Sequence, residues 1–346
     1  MRTPEVFIAG LGVCLPEPVG VAWAVAQGLY PPEEVELHEL GGAAVAGDTP
    51  APELALQAAQ EAVKRSGVPP TELDLLLYAD SWHQGPDGWQ PQYYLQRHLV
   101  GGDTLAIEIK HGCNGMFSAL ELAASYLAAD PLHGNALLVA ADNFGTPLMD
   151  RWTMGPGYLA GDGASAVVLT RQPGFARLLS VCSATVAEAE ELHRAGEPLF
   201  PPGPTVRRAL DFTSRSVSYR RQAMADGSGT TALFRIQQQT IAVAHKSLAE
   251  AGIGLADVTR VAFMNYSREI VEQRCMAALG LPFELSTWDF GRTLGHLGAS
   301  DQIVSLEHLV STGELGPGDH FLMLGVGPGV TISAAVVKIL DTAPWR

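Results

Sequence analysis

The chain has 346 residues and a formal charge of −15, from 22 Lys and Arg against 37 Asp and Glu. An acid excess of that size excludes a general nucleic-acid binder, because a phosphate backbone needs a basic face. Apolar residues at 47% and charged residues at 17% predict a folded chain with a large core, and no apolar run reaches the ~18 residues of a transmembrane helix. The opening MRTPEVFIAGLGVCLP has no apolar stretch followed by a small-residue cleavage site, so no secretory signal is expected. Cys14, Cys113, Cys182 and Cys275 are scattered, without a CxxC pair. That spacing fits reduced thiols in a cytoplasmic protein, and neither a metal site nor a bound cofactor is expected.

In chain order, apolar runs predict strands at Val6–Ala9, Leu75–Ala79, Leu105–Ile109, Ala136–Ala141 and Ser165–Thr170, then at Val261–Met264, Phe321–Gly325 and Thr331–Ile339. Several are apolar throughout, as strands covered on both faces must be. Helical periodicity marks Pro52–Ser66, Asn114–Ala128, Phe234–Ala251, Arg268–Leu279 and Ser300–Ser311. The order repeats. AQEAVKRSGVPPTELDLLLYAD (59–80) matches AHKSLAEAGIGLADVTRVAFMN (244–265) as helix, glycine stop, loop and strand. HGCNGMFSALELAASYLA (111–128) then aligns with LGHLGASDQIVSLEHLVS (294–311), which places Cys113 opposite His296. We therefore expect an α/β fold of two duplicated halves, residues 1–172 and 173–346, with equivalent loops meeting at one central site. Residues 188–229 break the pattern and read as an insertion that covers the site or meets a partner. Arg207, Arg208, Arg215, Arg220 and Arg221 make it the one dense basic cluster, either a solvated loop or a dock for an acidic partner.

Among the cysteines, Cys113 has the chemical setting. The strand LAIEI runs through KHG into Cys113, where a helix begins. Unpaired N–H groups and the positive end of the helix dipole stabilise a thiolate there. Both a catalytic thiol and a buried structural one fit these features. The other three cysteines lie in apolar or helical runs and read as structural.

IEIKHGCNGMFSALELAASYL, LAGDGASAVVL and LGVGPGVTISAAVV, in this order and spacing, resemble the condensing enzymes of the thiolase fold, most closely β-ketoacyl-acyl-carrier-protein synthase III. The resemblance spans nearly the whole chain. It implies a five-layered αβαβα homodimer and an acyl group carried on Cys113. The sequence departs from that family at three places. Where the family has His in a pattern like HQAN, the strand VAFM runs into Asn265, with Tyr266 one residue of alignment away. Where it has Asn in a pattern like GNTSAAS, GHLGASD supplies His296. The glycine loop reads Gly327-Pro328-Gly329, and Pro328 has no N–H to offer an oxyanion.

The exchange of His and Asn makes the chain most similar to the ketosynthase-like acyltransferases of antibiotic biosynthesis. That resemblance implies transfer of an acyl group from a carrier-protein or coenzyme A thioester to a hydroxyl or amine of a small acceptor. Cys113 would be the nucleophile, His296 the base, and Asn265 with the Cys113 N–H the oxyanion donors. Asp301 would either orient His296 or merely favour the helix dipole. A decarboxylating synthase and a non-catalytic partner subunit are the competing readings. His111 is expected to point away from Cys113. The loop SWHQGPDGWQPQYYLQ (81–96), with Trp82, His83, Trp89, Tyr93 and Tyr94, would border the acyl pocket and dimer seam, shaping specificity or packing an interface.

Overall fold

The computed structural model describes residues 1–3, 5–145, 147–226 and 229–346. The strands are β1 (Phe7–Cys14), β2 (Pro18–Gly20), β3 (Gly42–Ala44), β4 (Leu75–Ala79), β5 (Leu105–Ile109), β6 (Asn135–Asp142), β7 (Gly163–Thr170), β8 (Ala176–Thr185), β9 (Arg260–Ala262), β10 (His320–Gly327) and β11 (Thr331–Ile339). β2 and β3 pair alone. The other nine hydrogen-bond in the order β5-β4-β6-β7-β1-β8-β11-β10-β9.

The halves join where β1 meets β8, through only Phe7–Arg177 and Ile8–Ala176. Outward from that seam each half follows the same rule: its first strand, its last, its next-to-last, then its second. In the N-terminal half β5 completes the series. In the C-terminal half an isolated parallel bridge from Val261 to Ser286 stands in its place. The parallel pairs, β4 with β5 and β6, and β9 with β10, are likewise matched.

Four helices complete the layers. Ala51–Ser66 follows Pro50, stops at Gly67 and lays its small residues on the outer face of β1, β6 and β7. Gly229–Ala251 covers β8 and β11 in the same way. Gly115–Ala129 and Asp301–Thr312 lie between the two sheet halves, and their apolar faces share one core with both. This is the five-layered thiolase arrangement of two duplicated halves. Burial from both faces explains the unbroken apolar runs of β4 and β6.

Several elements differ from the sequence expectation. β8 carries Ser180 and Ser183 among its apolar residues, which hides it from an apolar-run reading; Ser180 is satisfied by Ser247. Arg268–Leu279 is two short α segments around a π turn at Glu272–Met276. The stretch from 188 onward is more ordered than its composition suggests, with a 3-10 segment Ala187–His193 and a helix Phe212–Asp226. Among the described residues, no helix is long and apolar enough to cross a membrane.

Candidate active site

Cys113 lies in the 3-10 turn Gly112–Asn114, which delivers the chain from β5 into the helix Gly115–Ala129. Gly112 has φ +52°, and a Cβ there would stand 2.7 Å from Pro328 Cδ. Only glycine meets both conditions without strain. Asn114 fastens the turn from behind, donating from Nδ2 to the Thr331 carbonyl at 2.8 Å and to Ser333 Oγ at 3.1 Å. Among the described residues the Cys113 N–H has no protein acceptor.

The opposite half presents the equivalent turn. His296 precedes the 3-10 turn Gly298–Ser300 and the helix Asp301–Thr312. Its Nε2 lies 2.9 Å from Cys113 Sγ and its Nδ1 2.5 Å from Asp301 Oδ2. Asp301 is fully buried and also accepts the N–H of Leu297 at 2.7 Å and of Asn265 at 3.0 Å. With a carboxylate facing Nδ1, that nitrogen carries a proton and Nε2 is the atom that exchanges one with sulfur. Burial by itself lowers the imidazole pKa, but Asp301 and Cys113 outweigh it and hold the group well above its usual value.

The loop holding His296 is bonded across the seam. Its N–H donates to Leu159 O at 2.7 Å, and its carbonyl accepts the Gly161 N–H at 2.9 Å. The same N-terminal segment contributes Tyr158, and Ser267 N–H donates to Gly157 O at 2.7 Å, tying in the loop that contributes Tyr266. The tyrosine rings stack at 4.7 Å, and each meets the His296 ring nearly at right angles, at 5.5 and 5.2 Å.

Cys113, His296 and Asp301 are thus brought together. Asn265 is not a donor into the cleft, which corrects the sequence expectation. Its Nδ2 donates to Gly295 O at 2.9 Å, and its amide lies over Gly291, where a Cβ would come within 2.1 Å of Oδ1. Tyr266 takes the cleft position instead. The reason is local: β9 ends at Ala262, so strand alternation no longer governs which side chain faces the site at Asn265 and Tyr266, three and four residues later. His111 turns away as expected, Nδ1 onto Ser118 Oγ and Nε2 towards Thr331 Oγ1. Tyr158, from the other half, was not singled out by sequence; only its place just before LAGDGASAVVL could have pointed to it.

A cavity of about 550 Å³ opens on Cys113. Tyr158, Tyr266, Phe263 and Pro328 line it, together with Arg274 and with Phe212, Ser216 and Arg220 of the inserted segment. Two arginines of the sequence cluster are neutralised: Arg208 and Arg215 both bind Glu197. Arg207, Arg220 and Arg221, like Arg274, have no ion pair among the described residues. The aromatic loop 81–96 does not reach the cavity lining. Trp82 packs beside Phe144 and Met154, Trp89 stands against Tyr94, and Tyr93 is exposed.

A five-layered duplicated α/β fold, with a cysteine turn of one half facing the equivalent turn of the other, defines the thiolase-like class of acyl-thioester enzymes. The family model for 3-oxoacyl-[acyl-carrier-protein] synthase III matches residues 107–186, and its C-terminal counterpart matches 248–339. The solved structure of an acyltransferase named ChlB3 is 68% identical, with a TM-score of 0.95 over 99% of this chain and 100% of that one. Beta-ketoacyl-[acyl-carrier-protein] synthase III of Syntrophomonas wolfei is 28% identical over 301 residues, 84% of this chain and 83% of the relative. The synthase III structure from Aquifex aeolicus, 22% identical, shares the fold with a TM-score of 0.77 over 96% of this chain and 99% of that one. The chain belongs to the β-ketoacyl-acyl-carrier-protein synthase III family and is an enzyme of the ketosynthase III type.

Proposed function

We propose that this enzyme transfers an acyl group from a carrier-protein or coenzyme A thioester, through Cys113, to a hydroxyl or amine of a small natural-product acceptor, without forming a carbon–carbon bond. It would act as a cytoplasmic homodimer in an antibiotic or polyketide pathway. The observation that carries this reading is His296 bridging Cys113 Sγ and the buried Asp301 carboxylate. A condensing site needs side-chain donors for an enolate oxygen. This site has turned its asparagine away and backed its histidine with a carboxylate, which is the wiring of a general base.

The half-reactions follow from that wiring. Sγ attacks the thioester carbonyl with the Cys113 N–H facing the oxyanion, the carbon–sulfur bond to the donor breaks, and imidazolium Nε2–H protonates the leaving thiolate. The acceptor hydroxyl then attacks the acyl-cysteine, passes its proton to Nε2, and Cys113 leaves as thiolate. Acylation removes the sulfur charge that helped raise the imidazole pKa, so His296 gives up its proton more readily to the leaving thiolate and is left as the neutral base that the second step needs. Arg220 and Arg274 suit the phosphate that both candidate donors carry. The 68% identical acyltransferase supports the reading.

The test is intact-protein mass after mixing with acyl and malonyl thioesters, beside Cys113→Ala. An acyl adduct on wild type alone, a malonyl adduct that keeps its carboxyl, and release to hydroxyl acceptors are expected. Loss of carbon dioxide and a β-keto product would establish the decarboxylating synthase instead.

A further inference from the structure

With Asn265 bonded to Gly295 O and Pro328 lacking an N–H, the reacting carbonyl is short of donors beyond the Cys113 N–H. Two tyrosine rings stand beside the His296 ring there. Tyr158 and Tyr266 both line the cavity at Cys113, and neither hydroxyl has a hydrogen-bond partner among the described residues. Their rings are fixed: Tyr266 stacks on Tyr158 and stands against Phe263, its carbonyl holds the Trp288 indole N–H at 3.1 Å, and the neighbouring Ser267 N–H holds Gly157. A phenol held so rigidly, with its polar end unsatisfied and its side chain lining the cavity that holds Cys113, is preorganised for an oxygen that gains charge there.

We propose that Tyr266, braced by Tyr158, is a catalytic residue that donates its phenolic O–H to the tetrahedral oxyanion in both half-reactions, the role Asn265 has given up. This rests on the acyl-cysteine reading above. Burial and the neighbouring charges keep both phenols far above the usual tyrosine range, so each remains a neutral donor while the thiolate reacts. Tyr158 is a positioning residue that fixes the direction of the Tyr266 ring.

Tyr266→Phe keeps the stack and deletes one hydroxyl. Removing a single oxyanion donor costs on the order of 10²–10³ in rate. The experiment measures single-turnover acylation of Cys113 by a simple acyl thioester beside alkylation by iodoacetamide, which forms no oxyanion. For Tyr266→Phe, acylation should fall by that factor while alkylation and its pH profile stay within about twofold of wild type. Tyr158→Phe should change acylation less than tenfold. Equal loss in both reactions would show that Tyr266 acts only through His296 or Cys113 and would overturn the proposal. So would unchanged acylation in Tyr266→Phe, or a loss confined to Tyr158→Phe. A wild-type enzyme that no thioester acylates would defeat the acyl-cysteine reading itself, a result distinct from these.

Discussion

The three residues on which the proposed chemistry turns differ in how far they could be read from sequence. Cys113 and His296 each sit between a glycine and the start of a helix, so the alignment of the two halves in sequence already sets them face to face. Asp301 is ambiguous in sequence because a first-turn carboxylate serves a helix dipole equally well; its 2.5 Å contact to Nδ1 supports the orienting role. The choice between Asn265 and Tyr266 depends on one residue of backbone path beyond a three-residue strand, which no periodicity encodes. Asp301→Asn tests the relay. Losing the carboxylate charge leaves burial as the dominant influence on His296, so its imidazole pKa should fall, visible as a downward move of the ring titration by NMR. Acyl transfer should drop by roughly 10³–10⁴, as when a triad aspartate is made neutral. An unchanged titration would show that Asp301 serves only the Leu297 and Asn265 N–H groups.

At the scale of elements, the strands buried on both faces were legible because double burial leaves no room for polar residues, whereas the inserted helix Phe212–Asp226 was not. Among its described residues it buries Tyr219 and Ala223 alone, one turn apart, and it has no apolar stripe for a pattern to reveal. The turn after β4 shows what apolar runs conceal. Asp142, at the end of β6, accepts the N–H groups of Ser81 and Trp82, with Oδ1 at 2.9 and 2.8 Å. Asp80, paired with Lys110, lies beside it. Burial, with the Asp80 charge adding to it, raises Asp142 to about 7 against the opposing backbone bonds. An acid whose pKa is raised by folding stabilises the fold fully at pH below its unfolded value near 4, and that contribution is lost as pH rises through about 7. Relative to Asp142→Asn, which cannot titrate, the wild type should therefore lose on the order of 2 kcal/mol between pH 5 and pH 8. Urea unfolding of both proteins at the two pH values measures this. A difference that stays constant would mean that Asp142 remains ionised throughout.

Across the whole molecule, duplication places the reacting groups on matched loops and leaves the ends of the sheet unequal. The C-terminal end stops at β9 with the short bridge to Ser286 beyond it, while the N-terminal end stops at β5, which has β4 on one side only. β5 is an edge strand with Leu105 and Ile107 48% and 42% exposed on one face, and an edge that is both unpaired and apolar invites another strand. If the two-fold axis of the proposed homodimer passes beside this edge, the strand that meets β5 is the partner's β5. That contact would also buttress Cys113, because β5 leads through Lys110 and His111 directly into its turn. The proposed homodimer therefore makes two linked predictions. Light scattering of the wild type should give twice the 36.7 kDa chain mass, and Ile107→Lys, which sets two like charges against each other at the seam, should shift the protein towards monomer. Acylation of Cys113 should weaken in the same variant, because a loosened β5 no longer fixes the approach to the turn. A wild type that is monomeric at micromolar concentration would remove the dimer. A monomeric Ile107→Lys that acylates at the full rate would separate the dimer from the chemistry and leave the turn held by Asn114 and Pro328 alone.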